Sequence, residues 1–535
     1  MNDTGGTMSD MTATAYDDVL YSSYAFSQTH PDRLATLATL FGMTPTPVTN
    51  CRVLELGCGD GSNLIPMAYG LPGSTFVGID LAARPIANGQ EMIAALGLKN
   101  ITLYALDVMR VAPEFGQFDY IIAHGLYSWV PPAVQEKVLA ICQENLTPNG
   151  VAYISYNAYP GGHLRQMVRG MMRFHVRHLA DATQQITQSR TLLKFLADAQ
   201  PEADAYGDIL RTELKRITSG DEGYVFHDDL AETNTPLYFH QFVEQAAQHG
   251  LQYLAEADFF EMQDHMFPPA MVETLRQMAS TQLVLKEQYA DFLKCRKFRQ
   301  TLLCHAERQL DRSLKPENVG GFSVSSSARP VSDNADIQSP TTVVEFRSLK
   351  GQALATNHPL VKAAMLSLAE AWPRALHFDE LLAQARTKLR REPHQTATVD
   401  AQDREVLGDM LLQAYGKNLV ELHVHVPQFA TTLAERPIAS PVARLQLRHG
   451  PMVTNLCHGC VKLEGTLAQH LFQLFDGTRD RPALLDALLA VVKSGTATMQ
   501  KDGKEVTDPQ QVRQFLADAL DQKLAELAEL ALFVA

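Results

Sequence analysis

The sequence has few of the features that mark secreted, membrane-spanning or nucleic-acid-binding proteins. Only seven of its 535 residues are cysteines, an odd and scattered set that is unlike a disulfide framework and favours a reducing compartment. No apolar run is long enough for a membrane span, and the acidic, Thr-rich start lacks the basic and apolar regions of a signal peptide. The net charge of -14 argues against general nucleic-acid binding. We therefore expect a cytoplasmic protein with no membrane span and no nucleic-acid partner.

What is present fits an ordinary globular protein of several domains. Hydrophobic residues make up 46% of the chain and charged residues 20%, which is unlike a disordered or fibrous protein. A chain of 535 residues is long enough for about three or four domains.

A glycine-rich turn follows a short apolar run early in the chain. The run Val53-Leu54-Glu55-Leu56 predicts a buried strand, and glycines at 57, 59 and 61 then predict a tight turn and a helix that opens at Gly61. The free N–H groups at the start of such a helix face whatever sits in the turn. Taken alone, the pattern fits a nucleotide site and a plain tight turn equally well.

Two further strands end on acidic residues. The stretch 75–79 runs into Asp80, about 20 residues past the glycines, where a carboxylate can accept both hydroxyls of a ribose. The stretch 101–106 runs into Asp107-Val108, a polar group beside an apolar one, which suits the edge and face of an adenine. The spacing therefore predicts a nucleoside site.

Strands and helices alternate through this half of the chain. Further strands are predicted at 118–123 and 151–156, with helices at 82–96 and 131–146 between strands. Such alternation predicts right-handed crossovers and a mainly parallel sheet, with ligands at the carboxyl ends of the strands.

These motifs resemble the S-adenosylmethionine signature of class I methyltransferases. The glycines follow Glu55 as Gly-x-Gly-x-Gly, whereas dinucleotide dehydrogenases usually show Gly-x-Gly-x-x-Gly, which disfavours NAD. Other stretches resemble bacterial methyltransferases that carry a methyltransferase regulatory domain, whose characterised members methylate lysines of outer-membrane proteins. These stretches are 16–43, 124–130, 156–163, 224–262 and 298–303.

The resemblance implies an α/β fold class and an order of domains. The fold would be a Rossmann-like class I methyltransferase sheet with a helical insertion, plus a mainly α, winged-helix-like C-terminal region. The implied domains are an N-terminal arm over the cofactor (1–50), an S-adenosylmethionine-binding core (51–163), a helical insertion or lid (164–223), a regulatory region that completes the sheet and continues as a helical connector (224–312), a linker (313–342) and the winged-helix-like region (343–535).

The resemblance also implies the cofactor, S-adenosyl-L-methionine, and the residues that bind it. These are Tyr21, His30, Glu55, Gly57, Cys58, Gly59, Asn63, Asp80, Leu81, Asp107, Val108 and His124. For Tyr21 and His30, core packing against the sheet is an equally good interpretation.

The acceptor side of the site is expected after the fourth and fifth strands. A lysine amine must lose a proton before it can accept a methyl group, and an apolar aromatic channel favours the neutral amine. The catalytic candidates there are His124, Tyr127, Trp129, Asn157 and Tyr159. His124 can take a proton or only orient its loop, and Tyr127 and Trp129 either contact the acceptor or pack. The loop lacks the Asn-Pro-Pro-aromatic motif of related enzymes that methylate amides, so amide methylation is not expected, and the resemblance implies a protein lysine as acceptor.

The predicted insertion begins with four arginines at four-residue spacing. Arg165, Arg169, Arg173 and Arg177 would form a basic stripe on one helix face, so something acidic should lie opposite. That partner is either an acidic residue of this chain, such as Asp181, or an acidic substrate.

Three other motifs allow a functional and a simpler interpretation. Cys457-His458-Gly459-Cys460 fits a redox pair, half a zinc site or incidental thiols. His227-Asp228-Asp229 fits a metal site or a helix cap, and the sequence predicts no metal. The stretch from 343 to 426 fits a winged helix, but one without a clearly basic recognition helix, which favours protein contact over DNA binding.

Together these patterns predict an S-adenosylmethionine-dependent methyltransferase that acts on a protein substrate, in the resembling family an outer-membrane protein before export. Two other functions fit the same motifs: a small-molecule methyltransferase, and a non-catalytic regulatory protein that binds the cofactor.

Overall fold

The fold is organised around a seven-stranded mixed sheet in a computed structural model that describes residues 23–279, 282–332, 334–390, 397–494, 500–501, 504–505 and 509–534. Its strands lie in the order β3-β2-β1-β4-β5-β7-β6. The first five pair in parallel, and β7 is antiparallel to both β5 and β6. The strands are β1 (Arg52–Leu56), β2 (Thr75–Asp80), β3 (Ile101–Ala105), β4 (Phe118–Ala123), β5 (Leu146–Asn157), β6 (Leu251–Glu256) and β7 (Phe298–His305).

Burial on both faces explains why these strands form. Every residue of β4 is buried, and β1 is buried from Val53 to Leu56. Apart from Glu55 and Asp119 these buried residues are apolar, which is typical of central parallel strands. The Rossmann-like α/β fold class is confirmed. Because the strand order reverses direction between β1 and β4, their carboxyl ends border the crevice where such sheets bind ligands.

Four helices pack around the first half of the sheet: α1 (Pro31–Leu40), α2 (Leu64–Gly70), α3 (Ala83–Leu96) and α4 (Pro132–Glu144). The prediction that a helix opens at Gly61 is wrong. Gly61 has a φ of +76°, which is incompatible with a right-handed helix, and α2 begins at Leu64.

The insertion consists of three helices, α5 (Gly162–Val176), α6 (Ala182–Asp198) and α7 (Ala205–Ser219). They bury a small core of their own, which includes Val168, Met172, Leu193 and Leu210. The chain then returns to the sheet through α8 (Phe239–Gln248) and β6.

The predicted connector is only partly helical. Helices α9 (Pro269–Ala279) and α10 (Leu283–Lys294) are followed by β7, which lies inside the sheet between β5 and β6. The charged residues that suggested a helix surface include Arg299, whose side chain is fully buried.

The predicted linker at 313–342 is also wrong. It contains β8 (Ser323–Ser325) and β9 (Arg329–Pro330). Val319, Phe322 and Val324 are buried in a core that is continuous with one face of the large sheet. A segment with buried apolar side chains and strand pairing is part of a domain, not a tether.

The next part of the chain surrounds these short strands with three helices. Strand β8 is the middle of a three-stranded antiparallel sheet in the order β12-β8-β13, and β9 and β11 flank β10 in a second one. The elements are β10 (Val344–Arg347), β11 (Ala353–Thr356), α11 (Pro359–Ala371), β12 (Leu376–His377), α12 (Phe378–Lys388), α13 (Ala397–Gly416) and β13 (Glu421–His423).

The C-terminal part has a separate core and two short hairpins. Its elements are α14 (Pro441–Gln446), β14 (Met452–Thr454), β15 (Cys460–Lys462), α15 (Thr466–Leu474), α16 (Arg481–Lys493), β16 (Gln500–Lys501), β17 (Lys504–Glu505) and α17 (Pro509–Glu529). Phe472, Phe475 and Phe533 lie in its core.

Candidate active site

The glycine turn lies at the carboxyl end of β1. Gly57 and Gly59 have φ values of +75° and +55°, in the left-handed region that favours glycine. A β-carbon on Gly57 would lie 3.3 Å from the side chain of Leu126, closer than ordinary contact. The turn therefore presents backbone to the crevice, as a nucleoside site requires.

Cys58 has a packing role within this turn. It is buried, and burial raises the pKa of its thiol well above the usual value. A β-carbon on Gly78 would approach the Cys58 sulfur to 2.7 Å, so the thiol lies against β2. Cys58 is therefore a neutral packing group beneath the turn.

Acidic residues at the ends of β2 and β3 lie along the same edge. Asp80 Oδ2 accepts a hydrogen bond from Gly59 N at 2.9 Å, and its Oδ1 accepts one from the backbone N–H of residue 82 at 2.8 Å. Leu81 beside it is 53% exposed. Asp107 accepts from the N–H of residue 109 at 2.9 Å, and Val108 is half-buried. Carboxylates and apolar side chains thus alternate along this edge.

Glu55 is a buried carboxylate with only one oxygen satisfied. Asn63 Nδ2 donates to Glu55 Oε1 at 2.7 Å, while Oε2 has no hydrogen-bond partner within the described part of the chain. Burial raises the pKa of Glu55 to about 8, and the hydrogen bond from Asn63 opposes this rise only in part. A buried acceptor without a donor is costly, so the arrangement fits a site completed by a cationic ligand.

The N-terminal arm crosses this site and bonds to the same asparagine. Phe26 N donates to Asn63 Oδ1 at 3.0 Å, and Thr29 Oγ1 accepts from Asn63 Nδ2 at 3.0 Å. His30 caps α1 by accepting from Asp32 N at 3.1 Å, and burial lowers the pKa of His30 to about 4. The structure therefore brings His30, Asn63 and Glu55 together, whereas Tyr21 lies outside the described residues.

His124 follows β4 and lies under the arm. Its Nδ1 is 2.9 Å from the Tyr153 hydroxyl, and its ring lies 4.0 Å from that of Phe26 and 6.3 Å from that of Phe298. Burial lowers the pKa of His124 to about 4, so the ring is neutral at pH 7. His124 therefore sits among aromatic rings without adding positive charge to the crevice.

Tyr127 belongs to the core on the other side of the loop. Its side chain is fully buried, its ring meets that of Phe242 edge-on at 5.4 Å, and its hydroxyl donates to Gln245 at 3.1 Å. The structure thus places Tyr127 where it supports the loop and has no exposed surface for an acceptor.

Trp129 lies beneath the start of the insertion. The guanidinium carbons of Arg165 and Arg169 are 6.0 and 5.5 Å from the Trp129 ring centre, within the range of cation–π attraction. Trp129 therefore links the loop after β4 to α5.

The candidates after β5 differ from each other in exposure. Asn157 is buried, and its Nδ2 donates to Asn234 Oδ1 at 2.9 Å. Tyr159 is half-buried and stacks on His163 with ring centres 3.9 Å apart, and Tyr238 lies 5.1 Å away. The aromatic group at 159, 163 and 238 therefore forms an accessible wall.

The first arginine of the stripe pairs with acidic residues of the same chain, and the next two donate to backbone carbonyl oxygens at 228, 231 and 232. Arg165 pairs with Asp229 at 3.1 Å, and Arg216 pairs with the same carboxylate at 2.8 Å. Asp181, the partner suggested by sequence spacing, instead caps α6 by accepting from Gln184 N at 2.8 Å. The stripe therefore fixes the insertion to the segment around 228–232.

Among the described residues, no group of three or more histidine, cysteine, aspartate and glutamate side chains is arranged to hold a metal ion. Within the same residues, no helix combines the length and apolar character needed to cross a membrane.

Sequence reasoning missed a contact from the C-terminal part. The Nε2 of His458, in the turn between β14 and β15, lies 3.0 Å from Asn63 Oδ1. Cys460 Sγ lies 3.2 Å from the carbonyl oxygen of Ala25. The sequence drew attention to the two cysteines of this motif, but the histidine between them reaches the site.

Three family models match successive parts of the chain. A methyltransferase domain matches residues 54–152, a predicted methyltransferase regulatory domain matches 221–305, and the C-terminal winged helix domain of PKMT matches 435–532. The winged helix therefore lies in the last hundred residues, whereas the sequence pattern suggested the preceding unit at 343–426.

Relatives extend over the whole chain. An uncharacterized protein of Rickettsia prowazekii (strain Madrid E) is 33% identical over 99% of this chain and 95% of its own length. A second uncharacterized protein of that strain is 40% identical over 43% of this chain and 93% of its own length.

A solved structure also matches nearly the whole chain. PKMT2 from Rickettsia typhi, determined alone and in complex with AdoHcy, has a TM-score of 0.86 and 29% sequence identity. The match covers 96% of this chain and 100% of that chain.

Proposed function

Because this chain belongs to the S-adenosylmethionine-dependent methyltransferases that combine a methyltransferase domain, a methyltransferase regulatory domain and a PKMT winged helix domain, we propose that it methylates lysine side chains of a protein. S-adenosylmethionine is the methyl donor of this family. The observation that carries the proposal is the match along 96% of the chain to PKMT2, a protein with an AdoHcy complex.

The residues at the crevice fit a cationic nucleoside cofactor. The unpartnered Oε2 of buried Glu55 supports a positively charged ligand, and the backbone surface at Gly57 and Gly59 supports close approach of a nucleoside. We assign the ribose hydroxyls to Asp80 and the adenine to Asp107 and Val108, as their strand-end positions suggest.

Neutral histidines suit a sulfonium group. When bound, S-adenosylmethionine supplies a methyl group on a positively charged sulfur, which an amine nitrogen can accept by in-line displacement. Burial lowers the pKa of His30 and His124 to about 4, so neither ring repels this cation at pH 7. The aromatic rings of Phe26 and Phe298 near His124 exclude water and favour a neutral acceptor amine.

The acceptor-side candidates divide into two groups. We assign contact with the acceptor to His124, Trp129 and Tyr159, which lie in the loops after β4 and β5. Tyr127 and Asn157 are buried behind them and would orient these loops. The acceptor amine loses its proton before transfer, and desolvation by the aromatic wall assists that loss.

We also propose where the enzyme meets its substrate. The resemblance to methyltransferases of outer-membrane proteins favours a substrate modified in the cytoplasm before its export. Methylation of an unfolded precursor but not of the folded, membrane-inserted protein would support this order, and the reverse preference would contradict it.

An Asp80→Ala variant tests the cofactor site. Loss of the carboxylate removes the acceptor for two backbone N–H groups and for the ribose, so the Kd for S-adenosylmethionine should rise by roughly 10-fold or more. Isothermal titration measures this Kd. The matched control is Asp198→Ala, which removes an exposed carboxylate that pairs with exposed Lys194 at 2.7 Å.

Labelled methyl transfer then tests the acceptor. Incubation with proteins of the source cell should label a protein band whose acid hydrolysate contains methyl-lysine. A label found only in small molecules would indicate a small-molecule enzyme, and binding without transfer to any acceptor would indicate a regulatory protein. Either result overturns the proposal, as does a Kd that Asp80→Ala leaves unchanged.

A further inference from the structure

The C-terminal winged helix domain reaches into the cofactor crevice through one side chain. His458 is 395 residues from Asn63 in sequence, yet its Nε2 lies 3.0 Å from Asn63 Oδ1. His458 is 5% exposed, and its ring lies 5.1 Å from that of His30 on the arm. Cys460 Sγ contacts Ala25 O, so the turn meets the arm at both His458 and Cys460.

The turn that carries His458 is held firmly by its own domain. Asn455 Oδ1 accepts hydrogen bonds from Cys457 N at 3.1 Å and from Gly459 N at 2.6 Å. Asn455 Nδ2 also donates to Leu530 O at 2.9 Å, beyond the end of α17. The position of the His458 ring is therefore set by the winged helix domain.

The backbone of His458 supports a role for its side chain. Its φ is +59°, in the left-handed region that non-glycine residues adopt rarely and at a cost. Glycine would remove this strain, but it would also remove the hydrogen bond to Asn63.

The hydrogen bonds of Asn63 define the direction of this contact. Its Nδ2 donates to Glu55 Oε1 at 2.7 Å and to Thr29 Oγ1 at 3.0 Å, which leaves Oδ1 as the acceptor. Oδ1 then accepts from Phe26 N at 3.0 Å, from the Thr29 hydroxyl at 3.2 Å and from the Nε2–H of His458. Burial lowers the pKa of His458 well below its usual value, so the ring is neutral and donates through one nitrogen.

We infer that His458 is a positioning residue for cofactor binding: by donating to Asn63 it holds the amide that orients Glu55 and the arm, so the winged helix domain completes the cofactor site. This inference rests on the proposed cofactor site. The winged helix domain is then a structural component of the methyltransferase, and movement of that domain would change cofactor affinity.

A His458→Ala variant removes this donor and leaves Asn63 Oδ1 with Phe26 N and the Thr29 hydroxyl. Because a buried acceptor loses a partner, the Kd for S-adenosylmethionine should rise roughly tenfold. The KM for the cofactor should rise in parallel, while kcat at saturating cofactor should change less than twofold, since His458 contacts neither cofactor nor acceptor in this assignment.

His458→Gln provides the conservative rescue, because its side-chain amide can also donate to Asn63. It should recover most of the affinity that His458→Ala loses. Lys462→Ala, on the same hairpin with its side chain 59% exposed, is the control and should bind as the parent does. All variants are measured in the full chain, with thermal unfolding recorded alongside the titrations.

The outcomes separate this inference from the proposed site. Weaker binding in Asp80→Ala and His458→Ala, with recovery in His458→Gln, supports the inference. Weaker binding in Asp80→Ala alone, or an affinity loss in His458→Ala that glutamine does not recover and that follows a lower melting temperature, overturns it. Unchanged binding in Asp80→Ala overturns the proposed cofactor site instead.

Discussion

Two buried glutamates in the same sheet have opposite surroundings. Glu55 in β1 and Glu256 in β6 are 3% and 1% exposed. Glu256 Oε1 accepts from Arg299 at 2.6 Å and from Thr301 at 2.9 Å, and its Oε2 accepts from a backbone N–H at 3.0 Å. Glu55 has a single donor, Asn63, and its second oxygen has no partner among the described residues.

This difference distinguishes a carboxylate that stabilises the fold, Glu256, from one that is available to bind a ligand, Glu55. The Glu256 network is complete without any ligand, because the guanidinium of Arg299 also pairs with Asp291 at 2.8 Å and Glu287 at 3.2 Å. Such a network contributes to stability only while every member is present. Among the described residues, Glu55 Oε2 has no hydrogen-bond partner, which is expected of a group that a bound cofactor pairs with.

Removing Arg299 from the Glu256 network should have the largest expected effect, a loss of folding stability. In an Arg299→Met variant three carboxylates lose a fully buried cation, so the free energy of unfolding of this domain should fall by about 3–5 kcal/mol. The chain has two tryptophans, so in a Trp372→Phe background the fluorescence of Trp129 reports urea unfolding of the methyltransferase domain.

Arg329→Met is the control for that measurement. Arg329 pairs with Glu529 at 3.4 Å, and both side chains are more than half exposed, so the change should cost less than about 1 kcal/mol. If Arg299→Met were as mild as this control, the Glu256 network would not be a stabilising centre and the comparison would fail.

Substitution of Glu55, whose second oxygen has no partner among the described residues, should affect cofactor binding more than folding stability. In Glu55→Gln the Kd for S-adenosylmethionine should rise roughly 10- to 100-fold, because a charge-assisted contact to a cation is lost. The apo protein should be no less stable, since glutamine resembles the protonated form favoured by burial. Titration calorimetry and urea unfolding distinguish the two effects, with exposed Glu144→Gln as the control. If Glu55→Gln instead unfolded more easily and bound S-adenosylmethionine as tightly as the parent, Glu55 would be a residue that stabilises the fold, like Glu256.

Local patterns made much of the cofactor side predictable. The strand, the glycine turn and Asp80 lie within about 25 residues of chain, and a buried parallel strand is a contiguous apolar run, so periodicity and spacing suffice. Strand β8 could not be found in this way. Ser323–Ser325 is short and polar, and it is a strand because β12 and β13 pair with it from distant parts of the chain.

Contacts between separate domains were equally hard to predict within the site. The resemblance implied Asn63, but its partners Phe26 and His458 were not predicted, because both contacts depend on how separate domains pack. For Tyr127, the position after β4 allowed either contact with the acceptor or packing, and the side chain packs in the core against Phe242. Sequence position predicts the strand end, but the side-chain direction depends on tertiary packing.

The smallest expected effect is a pH dependence that belongs to Glu55. Its pKa rises from 4.5 to about 8 in the folded apo protein because of burial, so the stability this group contributes is complete below about pH 4.5 and is lost as pH rises through 8. A bound cation favours the ionised form of Glu55, so cofactor binding should release a proton below pH 8. The Kd should therefore fall with rising pH, by at most about tenfold per unit, before it levels off.

Titrations in two buffers with different ionisation enthalpies count the protons released. Subtracting the same experiment on Glu55→Gln removes the contribution of the cofactor's own groups. Equal proton release from the parent and the variant would mean that Glu55 is already ionised before the cofactor binds, and would remove the electrostatic distinction between the two glutamates.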